Sequence, residues 1–350
     1  MQKELFIGRA NKGQRSLFQE KLFSLRILIS SVIGSDHEEI AVTSNTTEGI
    51  NIVVWGLDLG SNDEILTTNA EHFGVLSSLY TLHKLRKVRV NYFDCSSTNN
   101  HIFNLEKFFR MITPRTKLII LSHIFWESGN INPVKEVCNY AKKKGIRVLI
   151  DGAQAVGSIP VNVKDINADF YTFPAHKWLL GPEGIGFLYI SNEALNSLNQ
   201  VFAGNASFRS HDGKMNFLPS IGSKRFEIGT RFRPIITGMI TGLEWLLKDI
   251  GLTKVYKETQ HNMEFFKNYI REKTNLNVVT NNVRNIMSIS LPKNVDARSF
   301  RKQLEKVNVY VKDIEKYNAI RISISFFHNE AQINQFMNYV IQLLSKQEAV

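Results

Sequence analysis

Between residues 40 and 190 the chain alternates short apolar runs with stretches of helical periodicity, and few folds accept that alternation. The apolar runs fall at 40–42, 64–66, 88–93, 118–121, 148–150, 170–173 and 185–190. Segments 47–57, 73–86, 105–111 and 133–144 read as helices between them, the last stopped by Gly145 in a C-cap position. Runs too short for core helices, separated by amphipathic segments, predict an α/β fold whose mostly parallel seven-stranded sheet is sandwiched by helices. After Trp245 the pattern changes. A long helix over 252–273 leads to strands at 285–291, 307–311 and 320–325, with helices at 297–306 and from Asn329 onward. That order suits a small C-terminal α+β domain. We therefore expect a large domain over 14–250 and a small one over 251–350, with residues 1–13 counted in the small one. No fixed-period repeat is present.

The remaining composition narrows the function. The formal net charge is +11, but the 43 basic residues are dispersed, with only short clusters such as Lys142, Lys143 and Lys144 at a helix end. A nucleic-acid surface concentrates its charge on one element, so no nucleic-acid partner is expected. An anionic cofactor and anionic substrates account for part of the excess. No apolar stretch is long enough to span a bilayer, so no membrane partner is expected either. The N-terminus lacks a basic head followed by an apolar signal region. Two cysteines, Cys95 and Cys138, form no CxxC pair and no disulfide framework, which fits a reducing cytoplasm.

In open α/β sheets ligands gather beyond the carboxyl ends of the strands. Four polar clusters stand there: residues 44–48; Glu71 and His72; Asp151 with Gln154; and His176 with Lys177. Capping explains any one of them, but not four with different chemistry. Thr46 and Thr47 open a helix whose exposed N–H groups and positive dipole end form a candidate phosphate site. The plain alternative is an N-cap with Glu48 in the first turn. Asp151 and Gln154 serve equally well in an Asx-turn, His72 as a cap, and Lys177 as a solvated lysine. Trp178, Leu179, Leu180 and the 181–186 turn nevertheless place Lys177 in packed surroundings. A desolvated lysine has a lowered pKa and becomes a nucleophile and base. A carboxylate, an amide and an amine at one sheet edge are what pyridoxal phosphate (PLP) chemistry requires. The lysine forms a Schiff base, and the carboxylate keeps the pyridine nitrogen protonated. An imidazole at His72 would stack on the ring and hold it planar. No metal site is expected.

Taken in order, residues 43–51, Glu71 and His72, 150–154, 176–186, 229–231 and 320–323 resemble the class V aminotransferase family of fold-type I PLP enzymes. The resemblance is to the branch of cysteine desulfurases, selenocysteine lyases and isopenicillin N epimerase-like proteins, and covers about 22–344. The stretch from Asp151 to Lys177 is its most specific part. The resemblance implies that Lys177 is the Schiff-base lysine, Asp151 the pyridine-nitrogen partner, Gln154 the phenolic-oxygen ligand and His72 the stacking residue. It implies phosphate contacts from Thr47 and His176. Thr230 would reach the neighbouring subunit's phosphate, which implies a homodimer. Arg321 would bind the α-carboxylate of an amino-acid substrate, a task suited to its forked donors.

This sequence departs from that pattern in four places. The 308–318 loop holds no cysteine, where desulfurases carry one, and neither Cys95 nor Cys138 sits there. Pro174 replaces the usual serine three residues before the lysine, and residues 122–126 lack an asparagine. An extended segment before the first helix is largely absent, since helical pattern begins near Gln14. We therefore expect a PLP enzyme that deprotonates an amino acid at Cα, as an aminotransferase or C–S (β-elimination) lyase, and not a persulfide-forming cysteine desulfurase. The alternatives are an amino-acid epimerase and a PLP-fold binding protein without turnover. No GxGxxG follows an early strand, which disfavours a nicotinamide-dependent dehydrogenase.

Overall fold

The structure is a computed structural model that describes residues 13–95, 103–280 and 282–348. Two compact units are present. The first comprises residues 13–94, 104–123 and 133–250, and the second 124–132 and 251–348 together with Cys95 and Phe103. Residues 1–12 lie outside the described residues, so the expected grouping of residues 1–13 with the small domain lies largely outside them too.

The first unit is built on a seven-stranded sheet. Its strands are β1 (Ile40–Thr43), β2 (Glu64–Thr68), β3 (Arg89–Phe93), β4 (Thr116–Ser122), β5 (Arg147–Asp151), β6 (Phe170–Pro174) and β7 (Gly186–Ile190). Their spatial order is β1-β7-β6-β5-β4-β2-β3. β7 pairs antiparallel with both neighbours, while the other pairs are parallel, so the sheet is the mostly parallel one expected. Strands β1, β2, β4, β5, β6 and β7 are buried on both faces or nearly so, which is why they read as continuous apolar runs.

The helices of this unit are α1 (Gln14–Ile33), α2 (Thr46–Gly56), α3 (Phe73–Arg86), α4 (Leu105–Arg110), α5 (Val134–Lys143), α6 (Val163–Ile166) and α7 (Arg233–Glu244). Each of α2 and α3 begins directly after a strand's carboxyl end. Asn45 caps α2 by accepting the Glu48 N–H, and His72 caps α3 through Nδ1, which accepts the Gly74 N–H at 3.1 Å. One face of α2 packs Ile50, Val53 and Val54 into the core with Ala41, Ile65, Leu149 and Leu188. The 205–223 stretch contains a two-stranded hairpin, β8 (Phe208–His211) with β9 (Phe217–Pro219). Helix α7 widens into a π-helical segment, Trp245–Ile250.

The second unit joins α8 (Leu252–Lys273), β10 (Asn277–Val278), β11 (Ile286–Ser290), α9 (Ala297–Glu305), β12 (Lys312–Ile314), β13 (Ala319–Ser323) and α10 (Glu330–Glu348). Its antiparallel sheet has the order β10-β11-β13-β12. Val255, Thr259, Met263, Phe266 and Ile270 recur every three or four residues on α8 and are all buried. Three of them, Met263, Phe266 and Ile270, pack with Met287, Ile289, Phe300 and Ile320. No strand forms over 307–311. Asn308 adopts a left-handed conformation (φ 59°), which interrupts the extended run and delays pairing until Lys312. The 124–132 segment enters this unit by pairing with it. Ser288 Oγ donates to the Glu127 carbonyl, and the Ile131 N–H donates to Asn282 O at 3.1 Å. Among the described residues no helix is long and apolar enough to cross a membrane.

Candidate active site

The parallel strands deliver their carboxyl ends to one edge in matched register. Ser122 of β4 pairs with Asp151 of β5, which pairs with Thr172 of β6. Beyond that edge stand His123, Asp151 with Gln154, and His176 with Lys177, and β2 contributes Glu71 and His72.

Asp151 is buried, and burial pushes its carboxyl above the ordinary range. The positive charge of Lys177 is the largest opposing influence, followed by the Ala153 N–H that Oδ1 accepts at 2.9 Å and then by His72. One buried carboxylate thus senses both Lys177 and His72, which brings together three residues 105 positions apart in sequence (72 to 177).

Two contacts hold the Asp151 and Lys177 loops against each other. Gln154 is buried, and its Oε1 accepts the Trp178 indole N–H at 2.9 Å. A Cβ on Gly157 would lie 2.5 Å from the Trp178 carbonyl oxygen, so that close approach requires glycine, and the left-handed φ of 91° favours it as well. Lys177 itself is half-buried and His176 exposed. The loop closes through the Leu180 N–H to Lys177 O at 3.2 Å and the Gly181 N–H to Ala175 O at 2.9 Å. Leu180 pays for this closure with a left-handed backbone (φ 54°), a conformation that costs a branched residue about 1–3 kcal/mol.

The α2 N-terminus is docked on β6. Thr172 Oγ1 donates to Thr46 O at 3.3 Å and to Phe187 O at 3.1 Å, and a side chain at Gly49 would collide with the same hydroxyl. Thr46 is buried, and Thr47 Oγ1 would lie 2.6 Å from a Cβ at Gly74. The opening turns of α2 and α3 therefore approach closely, with Thr47 between them. Thr230 is exposed and precedes α7. These donors suit a phosphorylated, nitrogen-containing ring. A helix N-terminus with hydroxyls is available for phosphate, a lysine for an aldehyde, and a desolvated carboxylate for a cationic ring nitrogen.

Two residues without an expected role complete this edge, Glu71, grouped with His72 in the sequence, and His123. Glu71 is buried and accepts the Ser122 N–H at 3.0 Å, the Ser122 hydroxyl, and the Thr68 hydroxyl at 2.8 Å. Burial pushes its carboxyl up to about 7, against those hydrogen bonds. His123 Nδ1 lies 2.8 Å from the Tyr171 hydroxyl, and burial lowers its pKa to about 4. Both follow strand ends in sequence, which was the available signal. Their burial was not readable there.

Arg321 lies on β13 in the second unit, opposite Ser288 and Lys312. Its Nη1 donates to Trp126 O at 2.9 Å, and burial lowers the guanidinium pKa. Its buried Nε has no hydrogen-bond partner among the described residues, which is the environment expected of a donor to an anion.

Comparison with known proteins extends these observations. A Haloferax volcanii protein named cysteine desulfurase is 33% identical over 235 residues, covering 65% of this chain and 53% of that protein. The chain thus spans about half the length of this relative. A probable cysteine desulfurase of Borreliella burgdorferi is 28% identical over 343 residues, covering 91% of this chain and 80% of that protein. Among solved structures, a C-DES mutant with glycine covalently linked to its PLP cofactor superposes with TM-score 0.90 at 25% identity, covering 99% of this chain and 90% of that one. A second, the cystine C–S lyase C-DES with its product cysteine persulfide, gives 0.89 at 25% identity over 99% and 91%.

These relatives overturn the expectation that persulfide formation is excluded. A missing loop cysteine removes one acceptor for sulfur, whereas the persulfide product of C-DES shows the fold carrying that chemistry to a small molecule. PLP is the cofactor of this group. With residues 8–336 matching the model described as Aminotransferase class-V, the chain belongs to the class V aminotransferase family of PLP-dependent enzymes.

Proposed function

We propose that this enzyme cleaves the C–S bond of a cysteine-derived amino acid and yields persulfide sulfur, as a member of the cysteine desulfurase group. The observation that carries the reading is the joint influence of Lys177 and His72 on the buried Asp151 carboxyl. The likeness to relatives named cysteine desulfurase supports the substrate class.

When bound, PLP supplies an electron sink that stabilises negative charge at the substrate Cα and assists departure of a β-sulfur. Lys177 is the residue that would hold the cofactor aldehyde, and its amine would serve as the base for the proton at Cα. Asp151 holds the proton at the ring nitrogen. Its desolvated carboxylate gains most from a cationic partner, so it would favour a protonated ring nitrogen. Gln154, oriented by Trp178, donates to the phenolic oxygen. Thr46, Thr47 and His176 hold the phosphate, with Thr47 placed by the α2–α3 contact at Gly74. His72 accepts the Gly74 N–H on Nδ1, a bond that fixes the orientation of an imidazole that would pack on the cofactor face. Arg321 grips the α-carboxylate through Nε.

The chain functions in the cytoplasm as a homodimer in which the exposed Thr230 reaches the neighbouring phosphate. Its two domains divide near residue 250, with the 124–132 segment belonging to the second, and the first binds the cofactor. Incubating the purified holoenzyme with L-cysteine or L-cystine and assaying sulfane sulfur, alanine and pyruvate tests the activity. The reading predicts sulfane sulfur with one of the two carbon products. Keto acid from amino acids lacking sulfur, with none from cysteine or cystine, contradicts it.

A further inference from the structure

We infer that the persulfide leaves on a small molecule, because neither thiol of the chain is placed to receive the sulfur. This inference rests on the proposed persulfide-forming activity. A persulfide contains two sulfur atoms, and the cleaved C–S bond supplies only one. The second comes from a chain thiol, an added thiol, or the other half of a disulfide substrate.

The chain has two cysteines, and both are buried, Cys95 with 2% and Cys138 with 1% of its surface exposed. Cys138 lies on α5 beside the buried residues Val137 and Ala141. Burial, and secondarily the negative charge of Asp169, push its thiol well above the ordinary range. It is therefore held as the unreactive thiol and not as the thiolate that attacks sulfur. Cys95, just beyond β3, is equally shielded. The 308–318 segment carries no thiol. Instead, a cavity of about 480 Å³ is walled in part by Asn308, Tyr310, Arg321 and His328. That volume has room for a small molecule where a thiol-bearing loop would otherwise stand.

Both remaining routes balance. With an added thiol, its sulfur attacks the sulfur of cysteine. An S–S bond forms, the Cβ–S bond breaks, and its electron pair passes to Cβ, which takes a proton. The products are alanine and R–S–SH. With a disulfide amino acid, loss of the Cα proton and rupture of Cβ–S release R–S–S⁻, which is protonated. The residual three-carbon enamine takes up one water and yields pyruvate and ammonia.

The test uses the full-length holoenzyme with L-cysteine, with and without 2-mercaptoethanol, and separately with L-cystine. Products are alkylated and analysed by mass spectrometry in the low-mass fraction and on the chain. Sulfane sulfur is expected in the low-mass fraction alone. Alanine that rises with 2-mercaptoethanol identifies the thiol route, and pyruvate from cystine without added thiol identifies the disulfide route. The Cys95→Ala/Cys138→Ala variant is expected to show no loss of turnover. Persulfide mapped to Cys95 or Cys138 in the wild type during turnover overturns the inference while leaving the activity intact, whether or not the variant folds. Formation of neither alanine nor pyruvate from either substrate rejects the activity itself.

Discussion

Asp151 and Lys177 are electrostatic partners. The lysine's charge is the largest influence opposing the upward push that burial exerts on the aspartate carboxyl. Asp151→Asn, close in shape but neutral, is therefore expected to retain cofactor while turnover falls about 10²–10⁴-fold, the range for a lost proton-handling group. Steady-state rates with cofactor content measured in parallel check this. Unchanged turnover would show that Asp151 does not govern the ring nitrogen.

Glu71 and His123 flank Ser122 and titrate in opposing senses. Glu71 is raised from 4.5 to about 7, so its stabilising contribution is complete below pH 4.5 and is lost as pH rises through 7. His123 is lowered from 6.5 to about 4, so its contribution is present above pH 6.5 and is lost as pH falls through 4. At about 1.4 kcal/mol per pKa unit, each amounts to roughly 3 kcal/mol, and between these limits they offset. Glu71→Gln removes one side of that balance. Denaturant titrations should show the variant losing about 3 kcal/mol more than wild type on acidification from pH 7 to 4.5. Parallel pH profiles would contradict the assignment.

Two glycines test the packing of the edge. A methyl at Gly152 would collide with the buried Tyr171 ring, whose hydroxyl pairs with His123, so Gly152→Ala should cost about 1–3 kcal/mol of stability. A methyl at Gly74 would crowd the rotatable Thr47 hydroxyl, 2.6 Å away, while His72 Nδ1 at 3.4 Å stays in ordinary contact. Gly74→Ala should thus weaken cofactor retention, read by equilibrium dialysis, with little change in thermal midpoint. A variant equally tight for cofactor would place both Thr47 and His72 away from it.

Arg321 tests substrate recognition. Arg321→Ala removes a charged hydrogen-bond donor worth about 1.5–3 kcal/mol, so KM for cysteine should rise roughly ten- to hundredfold. Arg321→Lys should recover only part of this, since an ammonium lacks the planar fork. An unchanged KM would exclude a carboxylate contact.

Much of the sheet was legible because its strands are doubly buried and its helices carry periodic apolar faces. The positions expected for 73–86 and 252–273 coincide with α3 and α8. Legibility failed where backbone conformation decides. Asn308 turns left-handed and moves the expected strand at 307–311 to Lys312–Ile314, and no apolar pattern announces such a turn. No expected strand or helix marks the 124–132 segment, whose Trp126 and Glu127 carbonyls accept bonds from Arg321 and Ser288. At the site, Lys177, Asp151 and His72 stood out by chemical type. His123 and Tyr171 did not, because only their burial gives them weight. Persulfide chemistry was not legible for a different reason: the cysteine absent from the 308–318 loop removes one sulfur acceptor and leaves the reaction itself open.

The account is tested most directly by reducing the holoenzyme with borohydride, digesting it, and locating the attached cofactor by mass. The cofactor is expected on the peptide containing Lys177 and nowhere else, with Lys177→Ala losing it entirely. Attachment at another lysine, or full retention in that variant, would contradict the account.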